Sequence, residues 1–455
     1  MLVPGRQLEL ALTPLAALSR WPADRRVMML HSGRLHPRWA RYSILAEPVG
    51  TYRFVETVDG QGHGHWLGPS ECCPAGLSLS DKPFRDLRSL ANAAGDGLWI
   101  GQLSYDLGRW VEKLPNDAVN DRGWPVVEMA WCPGYLLHDA LENRWSACGS
   151  WRSQVPFDLA AFSPQRAAYR AGSPRSFFAR SQYESAVAKA MGYIAAGDIF
   201  QVNLAQRFSA DFHGAYPLSQ RAMFERLATL SPAWYGAYLE MAADPAESLT
   251  PFPGGRVIAS TSPELFLEVD AGGHVLTRPI KGTRPASADP RELLHSEKDT
   301  AELNMIVDLL RNDLGRVCAY GSVHVDEPRT IESHPTVHHG VATIRGRLHP
   351  SKDMIDLLRA TLPGGSITGA PKVRAMQIID ELEPVRRGPY CGCLGWLSRD
   401  SMGLNIAIRT MLLDPARQRV DFSVGGGIVA DSNPAGEYEE TIAKAQAMLA
   451  ALAAS

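Results

Sequence analysis

Asp198-Ile-Phe-Gln-Val-Asn-Leu-Ala-Gln-Arg-Phe208 marks the point at which this sequence of 455 residues changes its hydrophobic period. Apolar and polar residues alternate through its first half, which is the pattern of a half-buried strand. Just upstream, Ser181-Gln-Tyr-Glu184 is a capping-box pattern, and the apolar residues after it are spaced as on a helix that Gly197 ends. A helix that leads directly into a strand is therefore predicted over 181–208.

The same two periods alternate irregularly through the rest of the chain. Further helices are predicted at 293–313, 352–360, 371–383 and 434–452. Strands are predicted at 256–268, 275–280, 317–326, 340–348, 392–398, 404–412 and 419–424. Because helices fall at irregular intervals among many turn-linked strands, the fold class is predicted to be α+β rather than a regular winding of βαβ units.

A polar segment, Ala167-Ala-Tyr-Arg-Ala-Gly-Ser-Pro-Arg-Ser176, divides the chain. Residues 1–165, which precede it, carry short apolar runs broken by turn residues and are predicted to form an N-terminal subdomain. Residues 178–452 hold the polar motifs described below and are predicted to form the domain that carries the chemistry. The segment itself is predicted to be an irregular link, since Gly and Pro interrupt regular elements.

Composition excludes several classes of function. The net charge is −3 and no basic run is present, so no nucleic-acid partner is predicted. No stretch of about eighteen apolar residues occurs, so no membrane span is predicted either. The seven cysteines form an odd, irregularly spaced set, and the sequence begins without an apolar leader. Both features favour a reducing compartment, the cytoplasm.

Two charged residues stand at the ends of neighbouring apolar strands. Glu264 lies in Ser262-Pro-Glu-Leu-Phe266, and Lys281 lies in Arg278-Pro-Ile-Lys-Gly-Thr283. In a shielded cleft a carboxyl group and an amine shift each other's pKa, which suits an acid/base residue and a nucleophile. A strand-end salt bridge explains the pair equally well, so the two residues alone leave both interpretations open.

Two predicted helices carry acidic faces. Asp299 and Glu302 are three residues apart on one helix, and Glu437, Glu440 and Lys444 share a face of the other. Each face alone is explained by contact with solvent. Together the two faces can hold one hard cation, since Mg²⁺ is usually bound by one or two carboxylates plus water and substrate oxygens.

Glycine-rich stretches and one arginine are candidate anion sites. Pro363-Gly-Gly-Ser-Ile-Thr-Gly-Ala-Pro-Lys372 approaches a phosphate-binding loop, but Ala-Pro stands where Lys-Ser/Thr is required, so that interpretation fails. Pro371 instead suits the first position of a helix whose free N–H groups can meet a ligand. Gly425-Gly-Gly427 follows a predicted strand and offers either further amides or a plain tight turn. Arg409, inside an apolar run, suits a carboxylate.

Taken together, these segments resemble the chorismate-utilising enzymes, a family that includes anthranilate, isochorismate and aminodeoxychorismate synthases. Six segments match in the family's order: 198–208, 279–283, 305–315, 363–372, 408–410 and 425–432. The match is strong over 178–452, which makes this part the chorismate-binding catalytic domain. The resemblance implies one large α+β unit in which two antiparallel sheets pack around an active-site cleft, with helices outside.

Within the family, two positions distinguish the reactions. Anthranilate synthases resemble this chain around residue 281 but carry alanine there, whereas aminodeoxychorismate synthases carry a lysine, as this chain does in Lys281. Isochorismate and salicylate synthases use a lysine base where this chain has Gln201. Both positions imply amination of chorismate at C4. Two alternatives are anthranilate synthase component I and an inactive chorismate- or tryptophan-binding subunit that regulates a partner.

The resemblance also implies catalytic roles. Lys281 adds to C2 of chorismate as the C4 hydroxyl leaves, and ammonia then adds at C4 and expels the lysine. Glu264 is implied as the general acid for the departing hydroxyl. His339 matches a family histidine near that hydroxyl, and Thr368 matches a threonine near the incoming ammonia.

The ligand sites are implied in the same way. The Mg²⁺ ligands of the family map onto Glu302 and Glu440, with Asp299 and Glu437 as outer partners that hold water. Many relatives have glutamate in place of Asp299, whose shorter side chain weakens its part in the metal shell. The groups implied to bind the chorismate carboxylates are Arg409, Tyr390, Gly425, Gly426, Gly427 and Lys444.

Two partners follow from the resemblance. Ammonia would come from a separate glutamine amidotransferase subunit, since Cys393 sits in a turn like that of a glutaminase nucleophile but no His-x-Glu element follows it. Ser32 lies in the segment where some relatives bind tryptophan, so a tryptophan site is expected in the N-terminal part.

Overall fold

Two antiparallel sheets carry most of the regular backbone in the computed structural model, which describes residues 4–57, 59–243, 255–334 and 337–453. Over these residues one sheet has 13 strands and the other has 11. The predicted α+β class and the two large antiparallel sheets are therefore confirmed.

The elements are numbered in chain order. The strands are β1 (Arg6–Leu8), β2 (Met28–His31), β3 (Tyr42–Ala46), β4 (Gly50–Glu56), β5 (Gly62–Leu67), β6 (Leu98–Leu103), β7 (Val127–Cys132), β8 (Gly134–Asp139), β9 (Arg144–Gly149), β10 (Tyr169–Ala171), β11 (Arg175–Ser176), β12 (Gln201–Gly214), β13 (Tyr235–Glu240), β14 (Val257–Ser262), β15 (Leu265–Val269), β16 (His274–Arg278), β17 (Ile280–Pro285), β18 (His324–Ser333), β19 (Val337–Arg347), β20 (Gly369–Ala370), β21 (Cys393–Leu397), β22 (Met402–Asn405), β23 (Thr410–Asp414) and β24 (Arg419–Ile428). The α-helices are α1 (Pro14–Arg20), α2 (Pro83–Ala93), α3 (Arg180–Ala195), α4 (Leu218–Leu230), α5 (Arg291–His295), α6 (Glu297–Gly315), α7 (Met354–Thr361), α8 (Lys372–Leu382) and α9 (Pro434–Leu452). Within the described ranges, none of these helices is both long and apolar enough to cross a membrane.

Both sheets combine strands from the two halves of the chain. The larger has the order β1-β9-β8-β3-β2-β13-β14-β23-β24-β12-β10, with β11 and β20 also on β12. The smaller has the order β17-β19-β16-β15-β22-β21-β6-β7-β4-β5, with β18 also on β19. Strand β2 pairs with β13, and β6 pairs with β21. The division into 1–165 and 178–452 stays a prediction.

The segment predicted to be an irregular link instead forms strands β10 and β11. Both pair with β12, which extends the larger sheet. Tyr169 explains the difference, because its ring is buried and stacks on Phe212 with centroids 5.2 Å apart. One aromatic residue thus anchors a segment whose Gly and Pro residues indicated a loop.

The two sheets face each other across a shared apolar cluster. Ile44 and Ile258 from the larger sheet lie in it with Ile100 and Leu394 from the smaller sheet. Trp99, the neighbour of Ile100 along β6, points instead into the cluster on the opposite face. Both faces of this strand are therefore buried, which accounts for its continuous run of apolar residues.

Two of the predicted strands are each divided into two shorter strands. The run predicted at 256–268 divides into β14 and β15 at Pro263-Glu264, and the run at 404–412 divides into β22 and β23 around Arg409. The two breaks face each other, since the N–H of Ile406 donates to the carbonyl of Glu264 at 3.1 Å. The strand predicted at 317–326 begins only at His324, because Gly321, with φ 75°, turns the chain first.

Candidate active site

Lys281 projects from a bulge in β17. Between Ile280 and Thr283 the ladder with β19 shifts register, and Gly282, with φ 80°, supplies the left-handed backbone. The Lys281 ammonium Nζ donates to Oε2 of Glu302 on α6 at 2.9 Å, and only 12% of the lysine side chain is exposed. The bulge re-aims the side chain away from its regular alternation and toward the acidic helix.

The glycine segment of strand β24 lies against this amine. A Cβ built at Gly427 would stand 2.5 Å from Nζ of Lys281 and 2.5 Å from Nε2 of Gln201. A side chain at this position would displace the ends of Lys281 and Gln201, so the missing Cβ provides the space for both polar groups. Gln201, singled out because relatives place a lysine base there, thus shares the neighbourhood of Lys281.

Glu264 is a buried carboxyl at the break between β14 and β15. Burial raises its pKa to about 7, against the opposing effects of Ser366, the N–H of Ile280 and the Lys281 charge. The Ser366 hydroxyl donates to Oε1 of Glu264 at 2.6 Å. Near neutral pH the carboxyl group is therefore partly protonated and has a proton to give, as a general acid requires.

His339 and Arg409 form a second polar pair. Nη2 of Arg409 donates to Nε2 of His339 at 3.1 Å, so Nδ1 of the histidine carries the hydrogen and donates to Oγ1 of Thr283 at 2.9 Å. Burial, followed by the charge of Arg409, lowers the pKa of His339 well below its usual value. The imidazole is thus neutral and fixed in one tautomer.

Arg409 itself is placed to bind an anion. Its backbone has φ 50°, a left-handed conformation that interrupts the strand and turns the side chain aside. Burial lowers the pKa of its guanidinium to about 10. In the described part of the chain no carboxylate pairs with it. A desolvated cation without a counter-ion is suited to take the carboxylate of a ligand.

The acidic faces of α6 and α9 meet the site from two sides. Glu437 accepts from the Ser432 hydroxyl at 2.6 Å, and burial followed by the Glu440 charge raises its pKa. Burial opposes ionisation of Glu440, yet the Lys444 ammonium 2.6 Å away lowers its pKa. A Cβ at Gly426 would stand 3.1 Å from Glu437 and 3.6 Å from Glu440. Both carboxyl groups therefore face β24.

Asp299 is engaged elsewhere. Its carboxylate accepts from Nη2 of Arg284 at 2.7 Å. Among the described residues, no three His, Cys, Asp or Glu side chains converge as a ready-made metal cluster. Glu302 and Glu440 are likewise paired, with Lys281 and Lys444. Both are hard oxygen donors from two helices, which suits a cation completed by water and ligand oxygens.

The glycines of 425–427 do not form the tight turn that was the alternative to a set of ligand-binding amides. All three lie inside β24 and pair with residues 203–205 of β12. The carbonyl of Gly425 accepts from Nζ of Lys444 at 2.9 Å. The predicted strand 419–424 was too short because glycine has low β propensity, although close packing requires it here.

Thr368 and Tyr390 are both buried. The Thr368 hydroxyl donates to the carbonyl of Gly364 at 2.9 Å, and its own carbonyl accepts from the N–H of Asn203 at 2.8 Å. Burial raises the pKa of Tyr390 well above its usual value. In the described ranges no recorded contact joins either hydroxyl to Lys281 or Arg409. Pro371 precedes α8 and does not begin it, since the helix starts at Lys372.

Two site residues were not recognised from the sequence as functional. Ser366, which bonds Glu264, lies in the glycine-rich stretch, and Thr283, which bonds His339, lies in the motif of Lys281. Both were inside quoted motifs, and their hydroxyl groups were the available signal. Their partners lie 102 and 56 residues away, which no local pattern reveals.

Ser32 lies at the end of β2. Its hydroxyl donates to the carbonyl of Tyr42 at 2.7 Å. Nδ1 of the preceding His31 and Nε1 of Trp234, just before the paired strand β13, are buried and have no hydrogen-bond partner within the described part. Buried polar atoms of this kind are usually satisfied by water or a ligand.

Comparisons with known proteins agree with this geometry. The chain matches the family model described as chorismate binding enzyme over residues 74–450. It is 38% identical to aminodeoxychorismate synthase component 1 of Salmonella typhimurium over 93% of this chain and 92% of the relative. It is also 38% identical to anthranilate synthase component 1 of Thermus thermophilus, over 78% of this chain and 77% of that relative. The crystal structure of anthranilate synthase component I from Streptococcus pneumoniae superimposes with a TM-score of 0.76 at 30% identity, covering 97% of this chain and 98% of that one. The chain belongs to the chorismate-binding enzymes.

Proposed function

We propose that the chain converts chorismate and ammonia to 4-amino-4-deoxychorismate, the precursor of p-aminobenzoate in folate biosynthesis. The observation that carries the proposal is the amine of Lys281, held between Glu302 and Gly427 at the position where anthranilate synthases have alanine. Similarity to aminodeoxychorismate synthase component 1 of Bacillus subtilis supports the same proposal. That relative is 35% identical over 91% of this chain and 90% of its own length.

In the proposed reaction two allylic displacements replace the C4 hydroxyl. Nζ of Lys281 reacts as the free amine, after the ammonium passes one proton to the hydrogen-bonded Glu302 carboxylate. It forms a bond to C2, both ring double bonds shift, and the C4–O bond breaks as Glu264 gives its proton to the leaving hydroxyl, which departs as water. Ammonia then forms a bond to C4, both double bonds shift back, the C2–N bond to Lys281 breaks, and the Glu264 carboxylate takes up the proton that the new amino group loses. The enolpyruvyl ether is untouched, so the product keeps every carbon of chorismate.

Binding groups surround the reacting amine. Arg409 is proposed to take the enolpyruvyl carboxylate, supported by its burial and by the absence of a carboxylate partner among the described residues. Lys444, 2.9 Å from the Gly425 carbonyl, is proposed to reach the ring carboxylate. His339 is neutral and bonded to Arg409, so it can orient the hydroxyl at C4 without adding charge. Thr368 is proposed to lie near the incoming ammonia, and Tyr390 to help bind the enolpyruvyl carboxylate.

Mg²⁺ is the proposed cofactor. Glu302 and Glu440 would hold it, with Glu437 and the already engaged Asp299 as outer partners. The donor set fits, because two carboxylates and no sulfur or imidazole match the preference of Mg²⁺ for oxygen ligands. When bound, the ion would neutralise and fix a carboxylate of chorismate.

The partner is proposed to be a glutamine amidotransferase that supplies ammonia, since the relatives named component 1 imply a second component. Tryptophan is proposed as a ligand near Ser32, supported by the unpartnered nitrogens of His31 and Trp234. All seven cysteines are free thiols, which supports a reducing compartment such as the cytoplasm.

One incubation separates the candidate functions. The purified chain is mixed with chorismate, Mg²⁺ and an ammonium salt, and the products are separated by liquid chromatography. We expect aminodeoxychorismate, which an added pyruvate-removing lyase converts to p-aminobenzoate. Anthranilate as the main product would instead identify an anthranilate synthase, and unchanged chorismate would identify a regulatory subunit.

A further inference from the structure

The connection between β2 and β3, residues 32–41, crosses from the larger sheet onto the smaller one. We call this segment the strap. Nη1 of Arg34 donates to the carbonyl of Ser333 at 2.5 Å, and Arg38 lies 3.7 Å from Glu327 and 4.0 Å from Asp326. All three partners belong to β18, so the strap is tied to the sheet that carries Lys281.

Trp39 lies at the centre of the strap between two guanidinium groups. Cζ of Arg38 lies 4.0 Å from the centroid of its ring, and Cζ of Arg278 lies 3.9 Å from the same centroid. The two arginines differ, since Arg38 is exposed at the surface while Arg278 is buried. A cation–π contact contributes most when the cation is desolvated, so the Arg278 contact is the stronger of the two.

The Arg278 side chain is held by two hydrogen-bond partners and by the ring of Trp39. Its Nε donates to Oγ1 of Thr343 on β19 at 3.2 Å, and its Nη2 is bonded to Glu332 on β18. Trp39 covers its face. The guanidinium thus joins three strands of the smaller sheet to the strap.

The position of Arg278 in the chain gives this anchor its importance. Arg278 ends β16, and Lys281 follows three residues later in the bulge of β17. In a bulge the ladder is interrupted, so backbone pairing with β19 does not by itself fix the lysine. Upstream of the bulge the backbone is held where Ile280 pairs with Val341 and where the Pro279 carbonyl accepts from the N–H of Ala342 at 3.2 Å. The Arg278 side chain, held by Glu332, Thr343 and Trp39, is the side-chain anchor of the same segment.

We infer that Trp39 is a positioning residue for C4 amination: by holding Arg278 it keeps the bulge, and with it the amine of Lys281, aimed at the ring. This inference rests on the proposed function. Among the described residues, Trp39 does not contact Arg409 or Lys444, the two groups proposed to bind the carboxylates of chorismate. Its loss should therefore leave substrate binding largely intact. A small displacement of a nucleophile nevertheless lowers the rate strongly.

The test uses full-length variants with saturating Mg²⁺ and ammonium. We expect Trp39→Ala to lower kcat about tenfold with KM for chorismate changed less than about twofold. The share of anthranilate among the products should rise, because a misaligned lysine leaves C2 open to ammonia. Trp39→Phe keeps an aromatic face and should restore most of both properties, whereas Trp39→Leu keeps apolar bulk alone and should behave like alanine.

The matched control is Arg38→Met, which removes the second cation beside the same ring. Its exposed pairs with Glu327 and Asp326 contribute little to holding the strap, so kcat and the product ratio should stay unchanged. Wild-type kcat and product ratio in Trp39→Ala would overturn the inference, as would equal losses in Arg38→Met. If Trp39→Ala fails to fold, the comparison of Trp39→Phe with Trp39→Leu decides in the same way. A wild-type chain that makes no aminodeoxychorismate would overturn the proposed function instead.

Discussion

Glu264 sets an expected pH limit on the reaction. Burial raises its pKa to about 7, so the protonated fraction that can act as general acid falls as the pH rises through 7. We expect kcat to decline above about pH 7, and Glu264→Gln to lower it about 10²- to 10⁴-fold with no such decline. The measurement is kcat against pH at a constant concentration of free ammonia.

Replacing Ser366 tests whether the pKa of Glu264 sets this pH dependence. Its hydroxyl donates to the ionised form of Glu264 and so lowers the pKa of that carboxyl. In Ser366→Ala the pKa should rise, and the decline in kcat should move to higher pH. Ser401→Ala, remote from the site, is the control. A decline that stays in place in Ser366→Ala would remove Glu264 from the proton transfer.

Lys281 is the residue that selects C4 over C2. Replacing it with alanine should abolish the covalent adduct and the 4-amination, while some 2-amination to anthranilate appears because ammonia can then reach C2. Intact-protein mass spectrometry detects the adduct, and chromatography gives the product ratio. Lys298→Ala, which removes a lysine that pairs with Asp431 at 3.5 Å, is the matched control. Undiminished 4-amination in Lys281→Ala would contradict the mechanism.

The sequence indicates which residues carry the chemistry better than it indicates which side chains they contact. Lys281 and Glu264 were both singled out at strand ends, and a strand-end salt bridge between them was the open alternative. Lys281 is in fact ion-paired with Glu302, while Glu264 bonds Ser366. Chain neighbourhood alone cannot decide such pairings, because a bulge and two strand breaks determine where each side chain points.

Among the elements, β24 combines two demands that a local pattern cannot separate. It must pair with β12 along residues 419–428 and yet leave room for the lysine and acidic side chains above it. Glycine satisfies the second demand and weakens the first. The glycines were therefore predicted to lie beyond the strand, although they form the part of it that faces the site.

Gly427→Ala tests this account of β24. The new methyl group would stand 2.5 Å from Nζ of Lys281 and 2.5 Å from Nε2 of Gln201, so both must move. We expect kcat to fall about 10²-fold, while Tm changes little because alanine is tolerated in a strand. Gly172→Ala, whose Cβ meets its nearest atoms at 3.6 Å, is the control. Full activity in Gly427→Ala would mean that the amine does not need its present position.

The paired helices α6 and α9 lead to a prediction about the cofactor. In the presence of chorismate and without ammonium, saturating Mg²⁺ should raise Tm by about 2–4 °C, since a ligand that binds only the folded state stabilises it. Glu440→Gln should abolish the rise. Glu439→Gln, one residue away but exposed and paired with Arg180 at 2.7 Å, should retain it. An equal rise in both variants would exclude Glu440 as a ligand.

Elements with a long, regular hydrophobic period match their predicted bounds, whereas elements that tertiary contacts interrupt do not. The helix predicted at 434–452 has those bounds, and the one at 371–383 differs by one residue at each end. The strand runs 256–268 and 404–412 were predicted as continuous because apolar residues stand on both sides of Glu264 and of Arg409. The first run breaks at Pro263-Glu264, where the proline cannot donate to a ladder. The second breaks around Arg409, whose left-handed backbone no local pattern indicates.

On the scale of the whole molecule, the two sheets make the halves of the chain depend on each other. Residues 178–452 alone would leave β13 without β2 and β21 without β6. The shared cluster between the sheets would lose Ile44 and Ile100 and expose Ile258 and Leu394. Unpaired strand edges beside an open apolar face promote aggregation.

We therefore expect the intact chain to unfold in one cooperative transition, and a fragment that starts at residue 178 to be insoluble or to lack a thermal transition of its own. Calorimetry of the chain and of the fragment measures both. Co-expression of 1–172 with 173–455 is the control, because the cut falls between β10 and β11 and leaves the pairs β2–β13 and β6–β21 able to form. The two pieces should associate and restore a single transition. A soluble fragment with its own cooperative transition would instead show that the C-terminal part folds independently, and that the strands from the first half only extend sheets that are already stable.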